Sequence, residues 1–214
     1  MDEGPVEERL ADRVDADDRP GRHRIAQALR QAGEADRAVY TAIASTPMPT
    51  LDEPLRRLSE AANYSRLWLG IAGGLAVLGG RRGRRAAVRG VVAIGATSAA
   101  VNLGVKSLYE RPRPDRATAG VPQSRHVAMP SSTSFPSGHS ASGFAFATAV
   151  GSELPALAIP LQFLAGAVAY SRVHTGVHYP GDAVVGSIVG AGAGQVTTAI
   201  LARMSRVRLR RANR

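Results

Sequence analysis

Residues Ser171–Asp182 read SRVHTGVHYPGD, and this stretch brings an arginine, a histidine and an aspartate into one short segment. Two further stretches belong with it: residues 106–114, KSLYERPRP, and residues 136–139, PSGH. Six of their residues supply three fixed cations, two imidazoles and one carboxylate: Lys106, Arg113, Arg172, His139, His178 and Asp182. These groups are the ones needed to hold a phosphate, attack it and protonate its leaving group. The sequence therefore predicts phosphoryl transfer to water.

The order and the internal spacing of the three stretches resemble the three-part signature of the type 2 phosphatidic acid phosphatase (PAP2) superfamily. That superfamily also holds bacterial acid phosphatases and vanadium haloperoxidases. The resemblance covers roughly residues 66–202. It rests on these residues: Lys106-x6-Arg113-Pro114, Pro136-Ser137-Gly138-His139 and Ser171-Arg172-x5-His178-x3-Asp182.

The resemblance implies a role for each reacting group. His178 is expected to be the nucleophile that forms a phosphohistidine intermediate, and Asp182 to hold its ring and fix its tautomer. His139 is expected to protonate the leaving oxygen and later to activate water. For Asp182, a simple N-cap role at the start of the following helix is an alternative, and one carboxylate can do both.

A second group of motif residues is expected to bind the phosphate. Lys106, Arg113 and Arg172 would neutralise its oxygens. The Ser137 hydroxyl and the Gly138 amide would contact it at a helix amino terminus, although Ser137 as a plain N-cap is an alternative.

A second Arg-Pro pair, Arg111-Pro112, lies two positions before Arg113-Pro114, the pair that the motif spacing selects. We expect its arginine, Arg111, to be a charge at the mouth of the site or a contact for the headgroup of the substrate.

A metal site is the main rival for the same chemistry. His174, His178 and Asp182 have the i, i+4, i+8 spacing of ligands on one helical face. Pro180 and Gly181 interrupt that helix, and three nearby cations would repel a divalent ion. We therefore expect no metal and no other cofactor, and a packing role for His174.

Composition differs sharply along the chain. Mean hydropathy is only −0.08 and aromatics are 5%, as in a soluble protein. However, 13 of the 17 acidic residues lie in residues 1–65, whereas residues 183–202 carry no charge. At about 1.5 Å per residue, that segment matches a hydrocarbon core of roughly 30 Å. Insertion into a membrane is predicted.

The predicted fold is all-α: a polytopic membrane bundle of five to six transmembrane helices with the PAP2/haloperoxidase-like core that the resemblance implies. A buried bundle of a soluble protein is the alternative. Gly and Ala in the spans, as in residues 181–194, would let helices approach closely. Five apolar segments are recognisable: residues 67–80, 90–105, 140–151, 155–170 and 183–202.

Basic residues outside these segments predict the orientation. Arg81–Arg85 are expected to fill the connection between the first two spans, and residues 203–214 carry six arginines and no acid. Both regions are expected to be cytoplasmic. The motif-bearing loops, residues 106–139 and 171–182, would then lie outside, so we predict a multi-pass protein of the cell membrane with an extracytoplasmic active site.

Domain organisation follows from the same patterns. Residues 1–22 are predicted to be disordered and residues 23–65 to form amphipathic helices. Residues 66–202 would be the phosphatase domain, and residues 203–214 a basic tail. The absence of cysteine excludes disulfides and thiolate ligands.

The predicted function is that of a metal-independent membrane lipid phosphatase. Its substrate would be a monoester or diphosphate such as phosphatidic acid, phosphatidylglycerol phosphate or a polyprenyl diphosphate. Alternatives are a polyprenyl-phosphoribose-phosphate phosphatase and a non-catalytic transporter or scaffold. The net charge of +10 also raises nucleic-acid binding, but no stacking pattern or nucleic-acid motif accompanies it, so no such partner is expected. The oligomeric state is left open.

Overall fold

A computed structural model describes residues 22–105 and 110–212, with side chains for residues 24–102 and 110–207. Every regular element in these ranges is helical, as predicted. Two helices precede the apolar part of the chain: α1, Arg22–Ser45, and α2, Pro49–Ala61. The buried face of α1 contains Ala26, Tyr40 and Ala44, which fits one face of a 3.6-residue period.

Helix α2 does not continue into the first apolar segment. A 3-10 turn at Asn63–Ser65 separates it from helix α3, Arg66–Leu78. Tyr64 and Ser65 both have positive φ, 54° and 58°. Non-glycine residues seldom adopt this conformation, and two in succession interrupt the helical backbone between α2 and α3.

Helix α4 spans Gly80–Ala99 and continues as a π-helical segment over Ala100–Val105. Arg81–Arg85 lie inside its first turns, so the prediction that they form the connecting loop was wrong. The connection is shorter because Gly83 lets α4 approach α3 closely: a Cβ at Gly83 would lie 2.3 Å from the carbonyl oxygen of Leu75.

Three further helices complete the bundle: α5, Gly138–Glu153; α6, Ala158–His174; and α7, Pro180–Ala212. The predicted break within residues 140–170 is confirmed, with a 3-10 turn at Pro155–Leu157 between α5 and α6. Helix α5 is central and packs against α4, α6 and α7.

Helices α5 and α7 meet along a row of glycines. A Cβ at Gly186, Gly190 or Gly194 would lie 2.5, 2.1 or 2.8 Å from a backbone carbonyl oxygen of α5 or of its N-cap residue, Ser137. The i, i+4, i+8 spacing places all three on one face, and the missing side chains let the two backbones come into contact. This close approach holds the amino termini of α5 and α7 together.

Two helical segments in the described chain are long and apolar enough to cross a membrane, Pro155–His174 and Pro180–Val207. Only 39% and 22% of their apolar windows are buried, and large apolar side chains on them, including Phe163, Ile188 and Ile200, are exposed. Exposed apolar side chains on long apolar helices are typical of surfaces that contact lipid or another protein. These features indicate a membrane protein.

Candidate active site

A cavity of about 180 Å³ lies where the amino terminus of α5 meets the loop before α7. Residues from all three sequence motifs line it: Arg113, Gly138, His139 and His178. The volume is below the roughly 300–1,000 Å³ of pockets that enclose a drug-sized ligand. The cavity therefore suits a phosphate and the adjoining part of its leaving group.

His178 lies in the turn between α6 and α7 and is 2% exposed. Burial, together with the cations of Arg113 and Arg172, lowers its pKa to about 4 despite the opposing effect of Asp182. The imidazole is therefore neutral at pH 7, and one ring nitrogen keeps a lone pair.

Arg113 identifies that nitrogen. Its Nη1 lies 3.3 Å from His178 Nε2, and a guanidinium can only donate. The lone pair is thus on Nε2, and the ring proton is on Nδ1. Arg113 is itself fixed, because Nη1 donates to the carbonyl of Val177 at 2.6 Å and Nε to the carbonyl of Ser132 at 2.9 Å.

Asp182 faces the protonated side of His178. Its Oδ2 lies 3.4 Å from Nδ1, a long contact for a hydrogen bond. The same oxygen accepts the Tyr179 amide at 2.9 Å and the Ser134 hydroxyl. With Pro180 as the first residue of α7, Asp182 is at the third helical position and its bond to the Tyr179 amide is a capping interaction. Asp182 is thus not the N-cap itself, which is Tyr179, although its carboxylate caps the helix from the third position. Its role in fixing the His178 ring stays a prediction.

His139, the second residue of α5, also lines the cavity. Its Nε2 lies 2.9 Å from Oδ1 of Asn63, in the turn before α3. Gly138 presents the helix amino terminus to the cavity. Ser137 is fully buried and accepts a weak 3.4 Å bond from the Ser140 amide, which is the N-cap role that was the alternative for it. Its contact with phosphate stays a prediction.

The other two expected phosphate ligands are less directly placed. Arg172 is buried in α6, where Nη1 donates to the Ser59 hydroxyl at 2.7 Å. Its Nε has no acceptor within hydrogen-bonding distance in the described part of the chain. Lys106 lies outside the described residues.

Arg111 is not at the mouth of the site, so that prediction was wrong. It is 3% exposed, and Nη1 donates to Asp182 Oδ1 at 2.6 Å while Nη2 donates to Asp36 Oδ2 at 2.8 Å. The Arg-Pro spacing correctly separated it from Arg113 but carried no information about its carboxylate partners.

His174 points away from His178 and Asp182, and its Nε2 lies 2.9 Å from Asp52 Oδ1. Arg125, fully buried, binds the same oxygen at 2.8 Å and also donates to the carbonyl of Thr46 at the end of α1. This Asp52 cluster ties the loop between α4 and α5 to the first two helices. The i, i+4, i+8 alignment of His174 with His178 and Asp182 is therefore not realised as a set of converging ligands.

Sequence reasoning missed the polar wall of the cavity. Thr97, Ser98 and Asn102 of α4 line it, and the Thr97 hydroxyl is buried with no hydrogen-bond partner among the described residues. Their spacing of i, i+1 and i+5 on an apolar helix was the available signal.

Comparison with known proteins agrees with this geometry. A model of the PAP2 superfamily matches residues 87–206. Decaprenylphosphoryl-5-phosphoribose phosphatase of Mycobacterium tuberculosis is 33% identical over 186 residues, which cover 84% of this chain and 98% of that protein. The protein of the same name from Mycolicibacterium smegmatis is 34% identical over 135 residues, covering 61% and 68%.

Two solved structures share the fold. The transmembrane PAP2-type phosphatidylglycerolphosphate phosphatase of Bacillus subtilis superposes with a TM-score of 0.63 at 24% identity, covering 81% of this chain and 87% of that one. Aquifex aeolicus LpxE superposes with a TM-score of 0.58 at 22% identity, covering 75% and 92%.

Proposed function

The chain belongs to the PAP2 superfamily and is a phosphatase, and from this premise we propose that it removes a phosphate from a membrane lipid through a phosphohistidine on His178. One observation carries the proposal. His178 and His139 line the same cavity, and the 3.3 Å contact with Arg113 marks His178 Nε2 as the nitrogen that carries the lone pair. Nucleophile, acid and cation are thus arranged around one position.

In the first step, Nε2 of His178 attacks phosphorus, a nitrogen–phosphorus bond forms and the bond to the leaving oxygen breaks. Asp182 stabilises the positive charge that develops on the ring, because its carboxylate faces Nδ1. His139 gives its proton to the leaving oxygen. The products are a lipid alcohol and phosphohistidine.

In the second step, His139 takes a proton from water, and the hydroxide attacks the phosphohistidine. The nitrogen–phosphorus bond breaks, which releases phosphate and regenerates His178. Arg113 and the Gly138 amide are proposed to hold the phosphoryl oxygens in both steps, and their preorganised charge would replace a metal ion. Lys106, Arg172 and Ser137 are proposed as additional phosphate ligands.

Two observations favour a lipid-linked sugar phosphate over phosphatidic acid or phosphatidylglycerol phosphate. The relatives that match along most of this chain are named for a decaprenyl-linked phosphoribose. The cavity is also lined by Ser98 and Asn102, whose hydroxyl and amide groups are suited to a hydroxylated leaving group. The polyprenyl chain would remain outside the cavity, in the bilayer.

We further propose five to six membrane crossings, with the cavity on the extracytoplasmic side. The arginines of residues 81–85 and 203–211 support this orientation, because basic residues at span ends are retained in the cytoplasm. The cavity lies at the opposite ends of α4 and α7 from these arginines.

The direct test is phosphate release by the protein in detergent, from a polyprenyl-linked sugar phosphate, phosphatidylglycerol phosphate, phosphatidic acid and polyprenyl diphosphate. His178→Ala should abolish both turnover and acid-labile labelling by ³²P-substrate. His126→Ala is the matched control, since the ring of His126 is hydrogen-bonded to the nearby Val121 carbonyl and does not line the cavity in the described structure. Near-normal turnover by His178→Ala would exclude the mechanism, and preference for phosphatidic acid would exclude the sugar-phosphate assignment.

A further inference from the structure

Arg111 bridges two carboxylates that come from opposite ends of the chain. Asp182, on α7, accepts from Nη1 at 2.6 Å, and Asp36, on α1, accepts from Nη2 at 2.8 Å. The guanidinium also lies over the ring of Tyr179, 4.2 Å from its centroid. A planar guanidinium whose two terminal nitrogens both donate hydrogen bonds, and whose face lies on an aromatic ring, has little freedom to move.

Asp36 is fixed in turn by the start of α7. Its Oδ1 accepts the Gly181 amide at 2.6 Å, so the carboxylate caps the helix that carries Asp182. Gly181 makes this approach possible, because a Cβ there would lie 3.0 Å from Asp36 Oδ2. Asp36 therefore sets the position of both Arg111 and the amino terminus of α7.

The orientation of Asp182 depends on this bridge. One oxygen is engaged by Arg111, and the other accepts from Ser134 and from the Tyr179 amide. These bonds fix the plane of the carboxylate, and the second oxygen faces His178 Nδ1 at 3.4 Å. At so long a contact, a small rotation of the carboxylate decides whether a hydrogen bond forms when the ring becomes charged.

We propose that Asp36 and Arg111 are positioning residues for His178, acting through Asp182. The inference rests on the proposed function of His178 as nucleophile. Arg111 is not among the described residues that line the cavity, and it is nearly fully buried, so it acts through its carboxylate partners and not on the substrate. Helix α1, which lies before the region matched by the family, is thereby part of the catalytic apparatus.

Steady-state kinetics of Asp36→Asn and Arg111→Lys, with the lipid phosphate that the wild-type protein hydrolyses, test the proposal. Misplacing a supporting residue typically costs about 10- to 100-fold. We expect a loss of that size in kcat with KM within about twofold, and an equal loss in the rate of ³²P-phosphohistidine formation after mixing. An arginine that binds the headgroup would give the opposite result, a higher KM with kcat unchanged.

Arg125→Gln is the matched control for lost packing. Arg125 is also a buried arginine, and it joins a helix of the amino-terminal region to the loop between α4 and α5. Its carboxylate partner, however, is Asp52. Its loss should lower thermal stability and keep kcat per folded molecule near the wild-type value. If Asp36→Asn and Arg111→Lys behave like Arg125→Gln, with reduced stability and normal kcat, the positioning role is wrong.

A double variant separates a shared role from two independent ones. Because Asp36 and Arg111 act in one bridge, Asp36→Asn in the Arg111→Lys background should lower kcat by less than threefold, and full multiplicative losses would contradict the bridge. His178→Ala distinguishes the two proposals. If it retains turnover, the proposed function fails; if it is inactive while both positioning variants keep wild-type kcat, only the present inference fails.

Discussion

Gly190→Ala tests whether backbone contact between α5 and α7 holds the active site together. The added Cβ would lie 2.1 Å from the carbonyl oxygen of Ala141, whereas ordinary contacts begin near 3.4 Å. The helices must therefore separate by about 1.3 Å, since neither partner atom belongs to a flexible side chain. Overpacking of this kind costs about 1–3 kcal/mol.

The displacement would reach the chemistry directly. Ala141 is two residues from His139, and α7 carries Asp182 in its first turn. A misplacement of about 1 Å can reduce the rate by roughly 100-fold. We therefore expect Gly190→Ala to lower the melting temperature in detergent. We also expect it to lower kcat by about 10- to 100-fold.

Gly192→Ala provides the matched control on the same helix. A Cβ there meets nothing within 4 Å, and replacing glycine in a helix gains about 0.5–1 kcal/mol. It should therefore have an equal or higher melting temperature and normal kcat. Equal melting temperatures and rates for the two variants would refute the argument from close packing.

Three other outcomes follow from the site and the topology. Because the pKa of His178 is lowered to about 4, the nucleophile stays neutral through mildly acidic pH. The acid limb of the kcat/KM profile, corrected for the ionisation of the substrate, should therefore lie well below pH 6.5. An acid limb at or above pH 6.5 would contradict this. Activity should survive excess EDTA and be inhibited by vanadate, as the cationic site requires no metal; loss on chelation, restored by one divalent ion, would count against it. In intact cells an impermeant maleimide should label Ser124→Cys and miss Arg82→Cys and Asn213→Cys, and the reverse pattern would place the site in the cytoplasm.

The motif residues were predictable because their chemistry is encoded in short, contiguous spacings. Gly138-His139 and His178-x3-Asp182 each lie at the start of a helix, and local turn signals such as Pro180-Gly181 reveal that start from sequence alone. The break between α5 and α6 was predictable for the same reason, since Pro155 stands within it.

Contacts across the chain were not predictable in this way. Asp36 lies on the buried face of α1, where an apolar period gives no reason to expect a charge, and its partner Arg111 is 75 positions away. Ser59 and Arg172 are 113 positions apart. Such pairs have no periodicity and no fixed spacing, so only the folded arrangement reveals them. The prediction that the arginines at 81–85 form a connecting loop was wrong because positive charge indicates the side of the membrane and not whether the backbone is helical.

The bond between Asp36 and Gly181 can form only late in biosynthesis. These residues are 145 positions apart, and at about 5–20 residues per second a ribosome needs roughly 7–30 s to make the chain between them. During that interval the carboxylate of Asp36 has neither the start of α7 to cap nor a completed site to support. The Asp52 cluster can join the first two helices to the loop and to α6 before α7 is complete, but Asp36 can support Asp182 only after α7 has emerged.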